Sequence, residues 1–138
     1  HRSQINILRD RHSENPLDRV QPVVTKDELL QLIQEARTVE ANDRIFDYVT
    51  TLAEATRTHP MVELGVSPRG ALALCRMAKA HAFLAGRDFV VPEDVAAVFP
   101  DVCAHRLMLN SKARMMEEKP EFVLAEILKT TDMPVLKK

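Results

Sequence analysis

An arginine at the start of a predicted helix is the residue of this sequence best suited to chemistry. Ser67 is a favourable N-cap and Pro68 suits the first helical position, so Arg69 falls in the first turn. The helix dipole makes an arginine at that end unfavourable unless an anion lies opposite. Backbone N–H groups and a planar guanidinium together form a receptor for phosphate oxygens. Arg76 shares the face of Arg69, because positions seven apart differ by only about 20° in direction.

The residues around this helix start also have plainer interpretations. From composition alone, a solvated Arg69, or one paired with an acid such as Glu63, is the more common arrangement. Arg57 and His59 close the preceding helix, where we expect them to cap its carbonyl groups rather than form an interface.

Other kinds of site find little support in the sequence. Cys75 and Cys103 lie in separate apolar segments and are expected to be buried free thiols. His81 and His105 have no further cysteine or acid at metal-ligand spacing, so we expect packed or half-buried polar residues. The sequence has no phosphate-binding glycine loop and no G-x-S-x-G or H-E-x-x-H motif. An independent enzyme is therefore not expected.

Composition places the chain among globular proteins. It has 138 residues, of which 46% are hydrophobic and 28% charged, about the size of one domain. A net charge of −1 argues against a general nucleic-acid or membrane-surface binder. No apolar run approaches the roughly 18 residues of a membrane helix, and residues at the N-terminus show no hydrophobic signal-peptide core. We therefore expect a cytoplasmic protein.

Capping signals and apolar periodicity predict an all-α protein, a small helical bundle preceded by an extended N-terminal linker segment. Residues 1–12 resemble the end of a helix, and Asn15-Pro16 and Gln21-Pro22 bracket the extended segment. Helices are predicted over 25–37, from Asn42 to about Thr58, from Ser67 to Ala85, from Pro92, around Val102–Leu107 and over 120–129.

The predicted helix from Ser67 to Ala85 is apolar around most of its circumference, so we expect it to lie in the middle of the bundle. Gly86 is the expected C′ residue, and Pro100 is expected to separate two short helices. Residues 108–118 show no pattern.

Several motifs, in their order along the chain, resemble one ATPase family. The sequence Gly65-Val66-Ser67-Pro68-Arg69-Gly70 is followed by Gly86-Arg87-Asp88-Phe89-Val90-Val91-Pro92-Glu93-Asp94-Val95 and then by His105-Arg106-Leu107. This combination is similar to the C-terminal lid of MoxR-family AAA+ ATPases, and the resemblance covers nearly the whole chain.

The resemblance implies a domain organisation and a site. Residues 1–24 would be the end of the AAA+ core and a linker, 25–110 the helical lid, and 111–138 a tail whose short helix packs on the lid. Arg69 matches the family's sensor-2 arginine, which reaches the γ-phosphate of ATP. The resemblance therefore implies that Arg69 is both the catalytic and the cofactor-binding residue of this chain. Arg76 could then touch nucleotide or a neighbouring subunit, although a surface arginine is the more common reading.

The resemblance also implies partners and cofactors. ATP and Mg²⁺ belong to the full-length protein, and neither is expected in this chain alone, which lacks a Walker motif and would not hydrolyse ATP by itself. The expected partners are the AAA+ core of the same chain, neighbouring subunits of a homo-oligomeric ring, expected to be a hexamer, and a von Willebrand factor A-domain protein. Family members act as chaperone-like remodelling ATPases that mature partner complexes. No nucleic acid and no membrane insertion are expected.

Two further hypotheses remain open from the sequence. The chain could be a free-standing helical protein-interaction module without nucleotide, whose basic helix docks an acidic partner. A helical nucleic-acid binder is disfavoured by the near-neutral charge and the single tyrosine. Walker A and Walker B motifs encoded immediately upstream would decide for the ATPase.

Overall fold

The computed structural model describes residues 1–10 and 16–135 and divides into two compact units, His1–Leu32 and Ile33–Lys138. The first unit contains α1 (Arg2–Asp10), a 3-10 turn (Pro16–Arg19) and the start of α2 (Lys26–Thr38). The helix predicted at the N-terminus is present. The segment expected to be extended contains the 3-10 turn, and residues 20–25 have neither helix nor strand. Asn15 lies outside the described residues.

Helix α2 begins with a capping box formed by Thr25 and Glu28. Glu28 N–H donates to Thr25 Oγ1 at 3.2 Å, and Thr25 N–H donates to Glu28 Oε2 at 2.7 Å. These bonds lower the pKa of the exposed Glu28 carboxyl from its ordinary value. The leucines of α2 are not buried: Leu29 and Leu30 are each 48% exposed, and α2 has no buried residue.

The second unit confirms the predicted helical bundle. It contains α3 (Asp43–Thr58), β1 (Val62–Leu64), α4 (Pro68–Leu84), α5 (Pro92–Cys103), a 3-10 turn (Ala104–Arg106), β2 (Met108–Leu109), α6 (Ser111–Met115) and α7 (Pro120–Thr130). Buried apolar residues from α3, α4, α5 and α7 form one core. Its largest fully buried side chains include Phe99, Ile45, Leu52, Leu74 and Leu124.

Both ends of α4 are those that the sequence predicts. Ser67 is the N-cap, and its side chain accepts a hydrogen bond of 3.3 Å from Gly70 N–H. Gly86 follows the last turn with φ +73°, and Arg87 N–H donates to Ala82 O at 3.0 Å. The position of Arg69 one residue inside α4 is therefore fixed by a defined cap.

The expected central position of α4 is wrong, because the helix buries only one face. Leu74, Ala78 and Ala82 are 0% exposed, and this face packs mainly against α5 and α3. On the other side Leu72 is 59% exposed and Leu84 is 85% exposed. The many alanines made α4 look apolar all round, but its larger apolar residues do not all point inward. The opposite face of α4, which carries Arg69, is exposed.

Helix α5 continues through Pro100 instead of ending there. The helix spans Pro92–Cys103 with Pro100 inside it, and the 3-10 turn Ala104–Arg106 follows directly. A proline inside a helix removes one backbone hydrogen bond, which a well-packed helix can tolerate. Val98, Phe99 and Val102 on both sides of Pro100 are buried, so packing holds the helix together.

A small antiparallel ladder joins two segments that the sequence leaves without a partner. Val62 pairs with Leu109 and Leu64 with Met108, with an irregular register between them. Asn110 extends this junction, since its N–H donates to Met61 O at 3.0 Å and its side-chain amide to Pro60 O at 2.8 Å. Asn110 is also the N-cap of α6, a helix that the sequence does not predict. The ladder anchors the connection that leads to Ser67.

Candidate functional site

Val66, the residue before the N-cap of α4, has both its backbone N–H and its carbonyl oxygen bound by residues at the end of α3. Thr56 is 0% exposed, and its hydroxyl accepts a 2.8 Å hydrogen bond from Val66 N–H while donating to Ala53 O at 2.6 Å. Arg57 Nε donates to Val66 O at 2.9 Å. Arg57 therefore binds the following connection rather than capping its own helix as expected. These bonds fix the direction in which α4 begins.

Two glycines permit this close packing. A Cβ at Gly65 would lie 2.7 Å from the backbone N and Cα of Arg57. A Cβ at Gly70 would lie 2.7 Å from Val66 Cγ1 and 3.3 Å from Arg106 Cδ. A side chain at Gly65 would therefore collide with the backbone of Arg57, and one at Gly70 would collide with the Val66 side chain.

Four arginines surround a single surface depression at the start of α4, which we call the arginine basin. The basin has a volume of about 690 Å³, and its arginines are Arg57, Arg69, Arg76 and Arg106. They come from the end of α3, from two positions on α4 and from the 3-10 turn after α5. None of the described residues that line the basin is acidic. The basin is therefore suited to an anion with several negatively charged oxygens.

Arg69 and Arg76 keep their guanidinium groups available. Both side chains are exposed, and within residues 1–10 and 16–135 neither has a hydrogen bond or an ion pair. Glu63, which the sequence offered as a partner for Arg69, lies 3.8 Å from Arg114 instead. Arg106 is more constrained, because its Nη1 donates to Val102 O and contacts His105 Nε2.

A second polar cluster, centred on Asp94, has a structural role. The Asp94 side chain is 1% exposed, Arg87 donates to its two oxygens at 2.7 and 2.5 Å, and His81 Nδ1 lies 2.7 Å from Oδ1. Val91 N–H also donates to it at 2.8 Å, which caps α5. Burial alone would raise the Asp94 pKa, but these hydrogen bonds outweigh it and lower the pKa from its ordinary value. Every Asp94 oxygen is thus used inside the protein.

The remaining candidates do not form a reactive site. Cys103 is buried and Cys75 half-buried; both are free, and burial raises the pKa of each, to about 11 for Cys103. His59 accepts a hydrogen bond from Met61 N–H, and His105 contacts Arg106. In the described ranges no three His, Cys, Asp or Glu side chains are grouped so as to hold a metal ion. Nor does any helix of the described chain have the length and apolarity to cross a membrane.

Arg57 and Arg106 are site residues that sequence reasoning did not assign. Arg57 lies twelve residues before Arg69, and Arg106 is separated from it by the whole of α5. Spacing along the chain carries no signal for such a group. The one available hint was that Arg106 belongs to the His105-Arg106-Leu107 motif.

Comparison with known proteins finds one consistent set of relatives. Residues 54–127 match the family model described as the AAA lid domain. YeaC of Bacillus subtilis, an uncharacterised protein, is 35% identical over 96% of this chain and 41% of its own length. The chaperone MoxR1 of Mycobacterium tuberculosis is 34% identical over 81% of this chain and 32% of its own length.

A solved structure shares the fold. The crystal structure of a candidate ATPase from Cytophaga hutchinsonii superposes with a TM-score of 0.83 and 28% identity, over 97% of this chain and 43% of that one. The chain spans less than half the length of each of these three proteins.

Proposed function

Because this chain belongs to the AAA lid domain family and is the lid of a MoxR-type AAA+ ATPase, we propose that Arg69 senses the γ-phosphate of ATP. The ATP, with Mg²⁺, is held by an AAA+ core that precedes the lid. ATP hydrolysis is thereby coupled to movement of the lid.

The single observation that carries this proposal is the state of Arg69. Its guanidinium stands in the first turn of a capped helix, in a basin lined by three more arginines, and it has no partner among the described residues. A cation at the positive end of a helix dipole is unfavourable unless an anion compensates it. A phosphate would use the guanidinium fork of Arg69. The backbone contributes little there, because Pro68 has no N–H and Gly70 N–H already donates to Ser67 Oγ.

The residues of this chain fit a phosphate but not a complete nucleotide site. Arginine donors match phosphate oxygens, whereas Mg²⁺ prefers carboxylate and water oxygens, which the basin's described lining does not offer. Phosphoryl transfer develops charge on the transferred group, and a fixed guanidinium stabilises that charge. Arg69 therefore contributes binding and orientation of the terminal phosphate, while the core supplies the metal ligands.

A lid that binds the terminal phosphate changes its position when that phosphate is lost. A contact made through Arg69 would bias the lid toward the core only while the triphosphate is intact. In a ring of identical subunits, expected to be a hexamer in the cytoplasm, this movement would pass to the neighbouring subunit. The ring would thereby remodel or mature partner complexes in a chaperone-like way, with a von Willebrand factor A-domain protein as a further partner.

The test is ATP turnover by the ATPase that contains this lid. We expect Arg69→Ala to lower kcat by about 100- to 1,000-fold, the range seen when one donor to a developing anion is removed. Arg69→Lys should recover only part of the loss, since an ammonium keeps the charge but not the planar fork. Lys112→Ala on α6 removes an exposed cation outside the basin and should leave turnover unchanged. Normal turnover by an assembled Arg69→Ala ring would contradict the proposal.

A further inference from the structure

The arginine basin holds more positive charge than one phosphate contact requires. Four guanidinium groups from separate parts of the fold share one depression of about 690 Å³, and no acid lies among its described lining residues. Like charges at a common surface repel each other unless an anion or solvent screens them. Elsewhere in the described protein, two arginines lie beside acids: Arg87 beside Asp94 and Arg114 beside Glu63.

The free donors of the basin are spread along α4. Arg69 and Arg76 are separated by about 10 Å along the helix axis, at 1.5 Å per residue. That separation exceeds the size of one phosphate group and is comparable to a short chain of phosphates. Arg106 lies over the first turn, with its Cδ 3.3 Å from the position of a Cβ on Gly70. It uses Nη1 within the protein, and no bond is described for its Nη2.

We propose that the arginine basin is a binding site for a chain of phosphates, in which Arg106 and Arg76 bind oxygens beside those bound by Arg69. Arg57 keeps its hydrogen bond to Val66 O and acts as a positioning residue, which holds the connection before α4. The proposal deepens the proposed function and rests on it for the expectation that the triphosphate belongs to a nucleotide. The lid would then grip the whole phosphate chain instead of only detecting its end.

The experiment is an NMR titration of the 138-residue chain, followed at the arginine Nε–Hε resonances. The ligands are sodium tripolyphosphate, ATP, AMP and sodium sulfate at equal ionic strength. Tripolyphosphate and ATP should both shift the resonances of Arg69, Arg76 and Arg106, and should bind at least about tenfold more tightly than AMP or sulfate. The tighter of the two identifies the source of the phosphate chain. AMP or sulfate binding as tightly as tripolyphosphate would overturn the proposal.

Variants separate this proposal from the function of Arg69 alone. Arg76→Gln removes an exposed side chain without a described partner, so folding is not at risk, and it should weaken tripolyphosphate binding about fivefold to tenfold. Arg106→Gln should do the same, with its fold checked by thermal unfolding. Arg37→Gln on α2 makes the same charge change outside the basin and should bind normally.

The outcomes are distinguishable. Loss of binding in Arg69→Gln but not in Arg76→Gln or Arg106→Gln overturns the phosphate-chain site and leaves the γ-phosphate function in place. An equal loss in Arg37→Gln would show nonspecific charge attraction and would also overturn it. Reduced turnover of the Arg69→Ala ATPase is decided separately, whichever result the titration gives.

Discussion

The connection that positions Arg69 depends on one buried hydroxyl, that of Thr56. Thr56→Val keeps the shape of the side chain and removes the acceptor of the 2.8 Å hydrogen bond from Val66 N–H. Val66 is 0% exposed, so water cannot replace the lost partner. An unpaired buried donor costs about 1–3 kcal/mol, and we expect the free energy of unfolding to fall by that amount.

Urea denaturation of the 138-residue chain measures this change. The midpoint should fall while the slope with denaturant stays constant, because the surface exposed on unfolding is unchanged. Thr50→Val is the matched control, since Thr50 lies exposed on the same helix and its hydroxyl bonds only to Phe46 O. The control should stay within about 0.5 kcal/mol of the parent. If the two variants were equally stable, Thr56 would not hold the start of α4.

Three further predictions concern the rest of the bundle. Asp94→Asn should lower stability at pH 7 by about 2–3 kcal/mol, discounted for the partial exposure of Arg87. Because the folded-state pKa of Asp94 is lowered, its contribution is complete above its unfolded pKa of about 3.9 and is lost as pH falls through the folded value. Unfolding curves of parent and variant should therefore converge below about pH 4, and a constant difference would contradict the assignment. Ala78→Leu should cost about 1–3 kcal/mol by overpacking the 0% exposed face of α4, and thermal unfolding unchanged from the parent would show that this face can accommodate the added volume. At pH 7 a thiol reagent should label Cys75 well before Cys103, because Cys103 is buried and its pKa of about 11 keeps it protonated. Mass spectrometry of the labelled peptides measures the order, and earlier labelling of Cys103 would contradict this prediction.

Local signals in the sequence were sufficient to place most helix ends. Thr25 with Glu28, Asn42, Ser67 with Pro68, and Gly86 each act on backbone groups within four residues, and the structure has a cap at each of these positions. Arg69 could therefore be placed in the first turn of α4 from the sequence alone.

Features that depend on distant contacts could not be predicted in this way. Strands β1 and β2 have three and two residues, too few to show an alternating pattern, and they pair across more than forty residues. Pro100 indicated a helix end, but the buried residues around it keep α5 continuous. A first-turn acid such as Asp94 is usually exposed, and its burial depends on Arg87 folding back onto it. The arginine basin is of the same kind, because Arg57 and Arg106 reach Arg69 only through the tertiary fold.

The central claim, that Arg69 distinguishes nucleotides by their terminal phosphate, is tested most directly by comparing ATP and ADP affinities in the ATPase that contains this lid. Arg69→Gln should weaken ATP binding about tenfold or more and leave ADP binding nearly unchanged, so that the preference between the two nucleotides falls by the same factor. An unchanged preference, or an equal loss for ATP and ADP, would contradict the claim.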